Sequence, residues 1–211
     1  MKFFCNEIII DVSDDVYYPR EDTEMLIEII KKLNLKGKKV LEVCCGSGIL
    51  GIVAAKNGAI VTAVDINPDA VKTTQENAKN NYVILSTLVS DLFQKIKEKF
   101  DLIVFNPPYL PDEMDLEIVA KIRKDKGTNH LEETNILRQW SGGKTGRELV
   151  EKFVKDAKKY LKDKGKIIMV ISSLTGENEV LELIKRNNLF PTILERQKIP
   201  WEELIVIEAI L

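Results

Sequence analysis

Asn106-Pro107-Pro108-Tyr109 is the stretch of this chain best suited to chemistry. Two consecutive prolines remove two backbone donors and fix two φ angles, and each pushes the residue before it out of the helical region. The apolar run from Phe100 to Phe105 precedes them and reads as a buried strand. Asn106 is therefore held at the C-terminal end of a strand, where open α/β sheets place their ligands. There an Asn side chain and prolyl carbonyls accept hydrogen bonds from a planar NH2 group, and the Tyr109 ring can lie against its flat face. Asn106, Pro107, Pro108 and Tyr109 are the candidate catalytic residues, for an amide or amidine nitrogen.

A second set of residues carries ligand-binding chemistry. Glu42-Val43-Cys44-Cys45-Gly46-Ser47-Gly48 lies between a strand pattern and a helix pattern. Small residues let the backbone approach a ligand, and a helix start offers free N–H groups. Asp65, followed by Ile66, ends the next strand about twenty residues beyond the turn, where a carboxylate can take both hydroxyls of a ribose. Asp91-Leu92 follows the third strand, where the carboxylate can accept from an adenine amino group while Leu92 supplies an N–H. Taken singly, each has a plainer reading: tight packing for the glycines, a helix cap for an Asp. Their strength is in falling at the same place in consecutive βα units. The full G-x-G-x-x-G dinucleotide fingerprint is missing, and Glu42 sets an anion at the mouth of the turn, which repels a pyrophosphate and attracts a cationic amino acid moiety. S-adenosylmethionine carries an ammonium, a sulfonium, a ribose and an adenine, matching Glu42, the turn, Asp65 and Asp91. The pattern favours a methyl donor over NAD.

The elements that must hold these residues alternate between helix and strand, which predicts a parallel sheet flanked by helices. Strands are expected at Ile8–Ile10, Lys39–Val43, Ala59–Asp65, Tyr82–Val89, Leu102–Phe105, Lys166–Ile171, Phe190–Gln197 and Leu204–Leu211, the last two antiparallel. Helices are expected at Glu21–Leu33, Gly48–Asn57, Pro68–Lys79, Arg147–Leu161 and Gly176–Asn187. With 211 residues and 45% hydrophobic content the chain suits one α/β domain over 1–211. Residues 1–36 form an N-terminal extension of it. Pro111 to Ser141 is polar, holds Lys121, Arg123, Lys124 and Lys126, and lacks periodicity. Its place after the Asn-Pro-Pro-Tyr stretch predicts a lid or substrate-contact loop over 111–141, with a disordered surface insertion as the alternative.

Bulk properties narrow the classes. Lys+Arg 31 against Asp+Glu 33 weighs against non-specific nucleic-acid binding without excluding it. Cys5, Cys44 and Cys45 have no disulfide framework or zinc-ligand spacing, and His130 stands alone, so no metal is expected. A reducing cytoplasm is the simple location, and no apolar stretch reaches membrane-spanning length. A nucleophilic Cys44 or Cys45 is the alternative use of the thiols, but no base lies near them in sequence. Gly142-Gly143-Lys144-Thr145 fails as a P-loop because Arg138 stands at the required first glycine and no apolar strand precedes it.

Together, Glu42-x-Cys44-x-Gly46-x-Gly48, Asp65, Asp91-Leu92 and Asn106-Pro107-Pro108-Tyr109 resemble class I methyltransferases of amino groups. Tyr17-Tyr18-Pro19-Arg20-Glu21-Asp22-Thr23 and Trp140-Ser141-Gly142-Gly143-Lys144-Thr145-Gly146-Arg147-Glu148 narrow the resemblance to the HemK-like glutamine N5-methyltransferases, in their eukaryotic and archaeal release-factor branch. The resemblance implies a single Rossmann-like domain, with a mostly parallel seven-stranded sheet, an antiparallel last strand and helices on both faces. It also implies S-adenosyl-L-methionine as cofactor, bound by Tyr18, Thr23, Glu42, Cys44, Gly46, Gly48, Asp65, Ile66, Asp91, Leu92 and Asn106. The substrate would be a glutamine of a translation release factor. An adenine N6 or other RNA or DNA amino group is the alternative acceptor, and a non-catalytic cofactor-binding subunit a third reading. The family usually has Gly where this chain has Cys44. Relatives in this branch work with a small zinc-ribbon activator, for which Tyr82-Val83-Ile84-Leu85 is the expected edge.

Overall fold

The computed structural model describes residues 1–112 and 139–211. An N-terminal hairpin, β1 (Lys2–Cys5) and β2 (Ile8–Asp11), leads into α1 (Glu21–Lys32). Then follow β3 (Lys39–Val43), α2 (Ile49–Lys56), β4 (Ile60–Asp65), α3 (Pro68–Asn80), β5 (Leu85–Val89) and β6 (Phe100–Phe105). Two short strands, β7 (Leu110–Pro111) and β8 (Ser141–Gly143), pair in parallel. The chain closes with α4 (Glu148–Ala157), β9 (Leu161–Ser172), α5 (Glu177–Arg186), β10 (Phe190–Ile199) and β11 (Glu202–Ile210).

Seven strands form the main sheet in the order β10-β11-β9-β6-β3-β4-β5. The five from β9 to β5 are parallel, and β11 runs antiparallel to both its neighbours. The central strands are apolar throughout because both faces are covered. Alternation sorts their side chains: Val40, Leu102 and Val104 face a core with α1, α2 and α3, while Leu41, Val43, Ile103 and Phe105 face one with α4 and α5. Phe105 stacks on Phe153 of α4, with ring centroids 3.8 Å apart. The same alternation puts Glu42 on the α2 side.

The expected elements stand, with differences at their ends and in short pairings: β7 and β8 are additional, and the helix expected to reach Leu161 ends at Ala157, so that β9 begins at Leu161 and not at Lys166. The hairpin strand β1 is additional: Lys2 to Cys5 is too short to show a period of its own, and it forms because Phe3 pairs with Ile10 and is buried. The third strand begins at Leu85 and not Tyr82. Tyr82 has φ 57, and the N–H groups of Tyr82 and Val83 bond back to the Lys79 and Ala78 carbonyls, so these residues close α3 before the strand starts. No helix among the described residues is long and apolar enough to cross a membrane. Residues 113–138, with most of the expected lid, its basic residues and His130, lie outside the described residues.

Candidate active site

Strand register assembles the site. Val43 is paired with Phe105 on one side and Val64 on the other, and Asp65 is paired with Val89. The segments after β3, β4, β5 and β6 therefore leave the sheet at one level. The chain goes one way from β3 to β4, and β6 lies on the other side of β3, so the crevice opens at the switch between them. A cavity of about 580 Å³ occupies it, lined by the turn after β3, Asp65, Ile66, Asp91, Leu92, the Asn106–Tyr109 stretch and the approach to α1.

Glu42 lies beneath the start of α2 and is 2% exposed. Burial is the largest influence on its carboxyl and raises it from 4.5 to about 8; the N–H groups of Gly51 and Leu50 pull it back, and Asp65 adds repulsion. Its Oε2 has no hydrogen-bond partner among the described residues. Gly51 makes room for that oxygen, since a Cβ there would stand 2.5 Å from it. A buried carboxyl with an unused acceptor, lining a cavity, is a receptor for a cationic group.

Asp65 is the strut of the turn. Its Oδ2 accepts from the Gly46 N–H at 3.0 Å and its Oδ1 from the Asn67 N–H at 2.9 Å. Burial raises its pKa while these N–H groups lower it. Each carboxylate oxygen has a second lone pair, so ribose hydroxyls can still be accepted. Cys44 adopts φ 56, the left-handed region where glycine is favoured, so the turn keeps its shape with a thiol in place. Burial, then Asp65, Asp91 and Glu42, push the Cys44 thiol well up, which removes the thiolate a nucleophile needs. Burial does the same to Cys45, whose sulfur accepts from Thr74 Oγ1 at 3.3 Å.

Two expected cofactor residues do not line the cavity. The Tyr18 hydroxyl donates to the Lys2 carbonyl at 3.0 Å and its ring meets Phe3 edge-on, so Tyr18 anchors the hairpin. Tyr17 faces the cavity instead. Both are aromatic in an extended run before a proline, and sequence alone does not choose between adjacent sides. Gly48, with φ 79, serves packing: a Cβ there would meet Thr74 Cγ2 at 2.6 Å. Gly46, Cys44, Ile66, Asp91, Leu92 and Thr23 are all brought to the cavity wall.

At the other end, Asn106 Nδ2 donates to Thr23 Oγ1 at 3.1 Å, while its Oδ1 is buried with no partner among the described residues. Thr23 in turn bonds Asp22, which also accepts from the Tyr17 and Tyr109 hydroxyls. Burial first, then the Asp22 charge, keeps both phenols well above their ordinary value, so both remain donors. The second glycine motif supports this stretch from behind. A Cβ on Gly142 would lie 2.7 Å from the Pro108 carbonyl, and one on Gly146 would strike the Tyr109 carbonyl. Glu148 accepts from the Thr145 N–H at 3.0 Å and holds that loop to α4. The motif's spacing is visible in the sequence, but its packing partner is not.

A Rossmann-like sheet with a carboxylate-lined turn and an Asn-Pro-Pro-Tyr wall at its switch point defines a class I methyltransferase. The Methyltransferase small domain family matches residues 20–138, and the chain belongs to it. It is 40% identical over 203 residues to the "Putative protein N5-glutamine methyltransferase" of Methanocaldococcus jannaschii, covering 96% of this chain and 95% of that protein. It is 36% identical to the release factor glutamine methyltransferase of Streptococcus pneumoniae, over 79% of this chain and 57% of that longer protein. Among solved structures, a chain from the E. cuniculi Mtq2–Trm112 complex, which is responsible for methylation of the eRF1 termination factor, superposes with a TM-score of 0.70 at 25% identity. That match covers 93% of this chain and 98% of the other. These relatives place the chain among the HemK-like methyltransferases.

Proposed function

We propose that the chain is an S-adenosylmethionine-dependent N5-methyltransferase that acts on a glutamine side chain of a translation release factor. The observation that carries the reading is the buried Asn106 Oδ1 at the cavity wall, without a partner among the described residues. The Pro107 carbonyl supplies a second acceptor, and neither Pro107 nor Pro108 has an N–H to compete. Together they can hold the two protons of a planar amide, with Tyr109 against its face.

When bound, S-adenosylmethionine would supply an electrophilic methyl group on a sulfonium, with a neutral thioether as leaving group. Glu42 would hold its ammonium, Asp65 its ribose, and Asp91 with Leu92 its adenine, with Ile66 also at that wall. Thr23, Cys44 and Gly46 line the methionine end. Asn106 and Pro107 raise electron density on the amide nitrogen, whose lone pair is otherwise delocalised, and favour its rehybridisation. Holding nitrogen and methyl in line can contribute roughly 7–11 kcal/mol. The leaving group is neutral, so no acid is required, and the product proton can pass to water.

An amino group of RNA or DNA is the competing acceptor, since adenine presents the same flat NH2. Methyl transfer from a tritiated donor to purified release factor and to RNA separates the readings. Label in the release factor is expected, and Asn106→Ala abolishes it while donor affinity stays within about threefold. Label in RNA alone refutes the glutamine reading, and no label in either favours a non-catalytic subunit.

The β5 edge fits a small zinc-ribbon activator, with residues 1–211 acting as one domain in the cytoplasm. Tyr82 and Ile84 beside that edge are each 94% exposed. The Mtq2–Trm112 complex is the precedent among the solved relatives. Ile84→Lys should abolish co-purification of such a subunit; unchanged binding contradicts this placement.

A further inference from the structure

Asp22 is 2% exposed and has no part in the chemistry just described, yet four donors converge on it. Tyr17 and Tyr109 give their hydroxyl protons, Tyr109 at 3.3 Å. Thr23 gives its backbone N–H at 2.6 Å and its hydroxyl proton at 3.1 Å, both to Oδ1. A carboxylate accepts and does not donate, so every one of these bonds has a fixed direction.

That direction propagates. Thr23 has a single hydroxyl proton, and Asp22 takes it. Toward Asn106, Thr23 Oγ1 can then only accept, so the Asn106 amide must offer its NH2 end, as it does at 3.1 Å. With the NH2 end fixed, Oδ1 is left facing away from Thr23, buried and without a partner among the described residues. We propose that Asp22 is a positioning residue: acting through Thr23, it sets which end of the Asn106 amide meets the substrate nitrogen. Were the amide turned over, its own NH2 would oppose the substrate NH2, two donors with no acceptor between them. The same carboxylate ties down the Tyr109 ring, so one buried group fixes both walls of the acceptor pocket. The proposal rests on Asn106 being the acceptor for the substrate amide.

Asp22→Asn tests it with little change of shape. An Asn at 22 can offer its own NH2 to Thr23 Oγ1, freeing the hydroxyl proton to turn toward Asn106 and allowing that amide to flip. Loss of an aligned group at the reacting atoms typically costs 10²–10³ in rate, so kcat for release-factor methylation should fall by about 10²-fold. Affinity for S-adenosylhomocysteine should stay within about threefold. Thr23→Val should lose rate as well, and Thr23→Ser, which keeps both hydroxyl functions, should recover most of it. A second arm does not depend on turnover. In the unaltered chain one Asn106 Nδ2 proton, bonded to Thr23, should exchange slowly with water by NMR. Asp22→Asn and Thr23→Val should release it. A kcat for Asp22→Asn within about threefold of the unaltered chain, or an Asn106 proton equally protected in both variants, overturns the proposal. If the unaltered chain labels no release factor, the proposed function fails and the exchange arm still decides the role of Asp22.

Discussion

Replacing Glu42 by Gln should make the protein more stable and a poorer binder. The folded carboxyl sits at about 8 against 4.5 for an ordinary Glu. Because the folded value is the higher one, the folded state holds the proton more tightly, and the cost of ionising Glu42 grows as pH rises from 4.5 toward 8. At about 1.4 kcal/mol per pH unit, that cost is below about 1 kcal/mol at pH 5, about 3 at pH 7 and about 4 at pH 8. Gln has the same shape and does not titrate. The melting temperature of Glu42→Gln should therefore exceed that of the unaltered chain by about 6–12 °C at pH 7, and by little at pH 5. Donor affinity should move the other way, since the substituted amide offers no charge to the ammonium. In the unaltered chain, donor binding at pH 7 should release about one proton, because the cation pulls the carboxyl down through neutral pH. Thermal melts of both chains from pH 5 to pH 8, with calorimetric titration in two buffers of different ionisation enthalpy, measure all of this. A melting difference that does not widen between pH 5 and pH 8 refutes the account of Glu42, as does donor binding without proton release.

Three further outcomes follow from the glycines and the turn. Gly51→Ala would ordinarily strengthen a helix by about 1 kcal/mol. Here its Cβ meets Glu42 Oε2 at 2.5 Å, so calorimetry should show weakened donor binding. Gly142→Ala pushes on the Pro108 and Gly146 carbonyls, so kcat should drop by about tenfold or more while S-adenosylhomocysteine affinity holds. Cys44→Gly removes a left-handed non-glycine residue and should leave stability unchanged or raise it by up to about 1 kcal/mol in denaturant titration; a loss beyond that means the thiol packs in an essential way.

Much of the fold was legible because each central strand is a short apolar run closed by a turn or an acidic residue. Asp65, Asp91 and Asn106 could be aligned from their positions in the chain because parallel register puts successive strand ends at one level. What stayed hidden depended on direction in space. The choice of Tyr17 over Tyr18 turns on which side of an extended segment meets the cavity. Asp22 reads as an ordinary acidic residue in a helix's first turn, which favours the helix dipole, and only the contact across 87 positions to Tyr109 shows it to be a hub. Gly142 and Gly146 announce a tight loop but not the Pro108 and Tyr109 carbonyls that require it. Glu42 is the intermediate case. Its place as an acidic group at the mouth of the turn was readable, but its burial and the size of its pKa change needed α2 packed above it.

The most direct test of the central claim is tandem mass spectrometry of purified release factor after incubation with the enzyme and S-adenosylmethionine. A single methyl group on the side-chain nitrogen of one glutamine is expected, absent when Asn106→Ala replaces the unaltered enzyme. A methyl group on a different residue type, or equal methylation by the Asn106 variant, contradicts the claim.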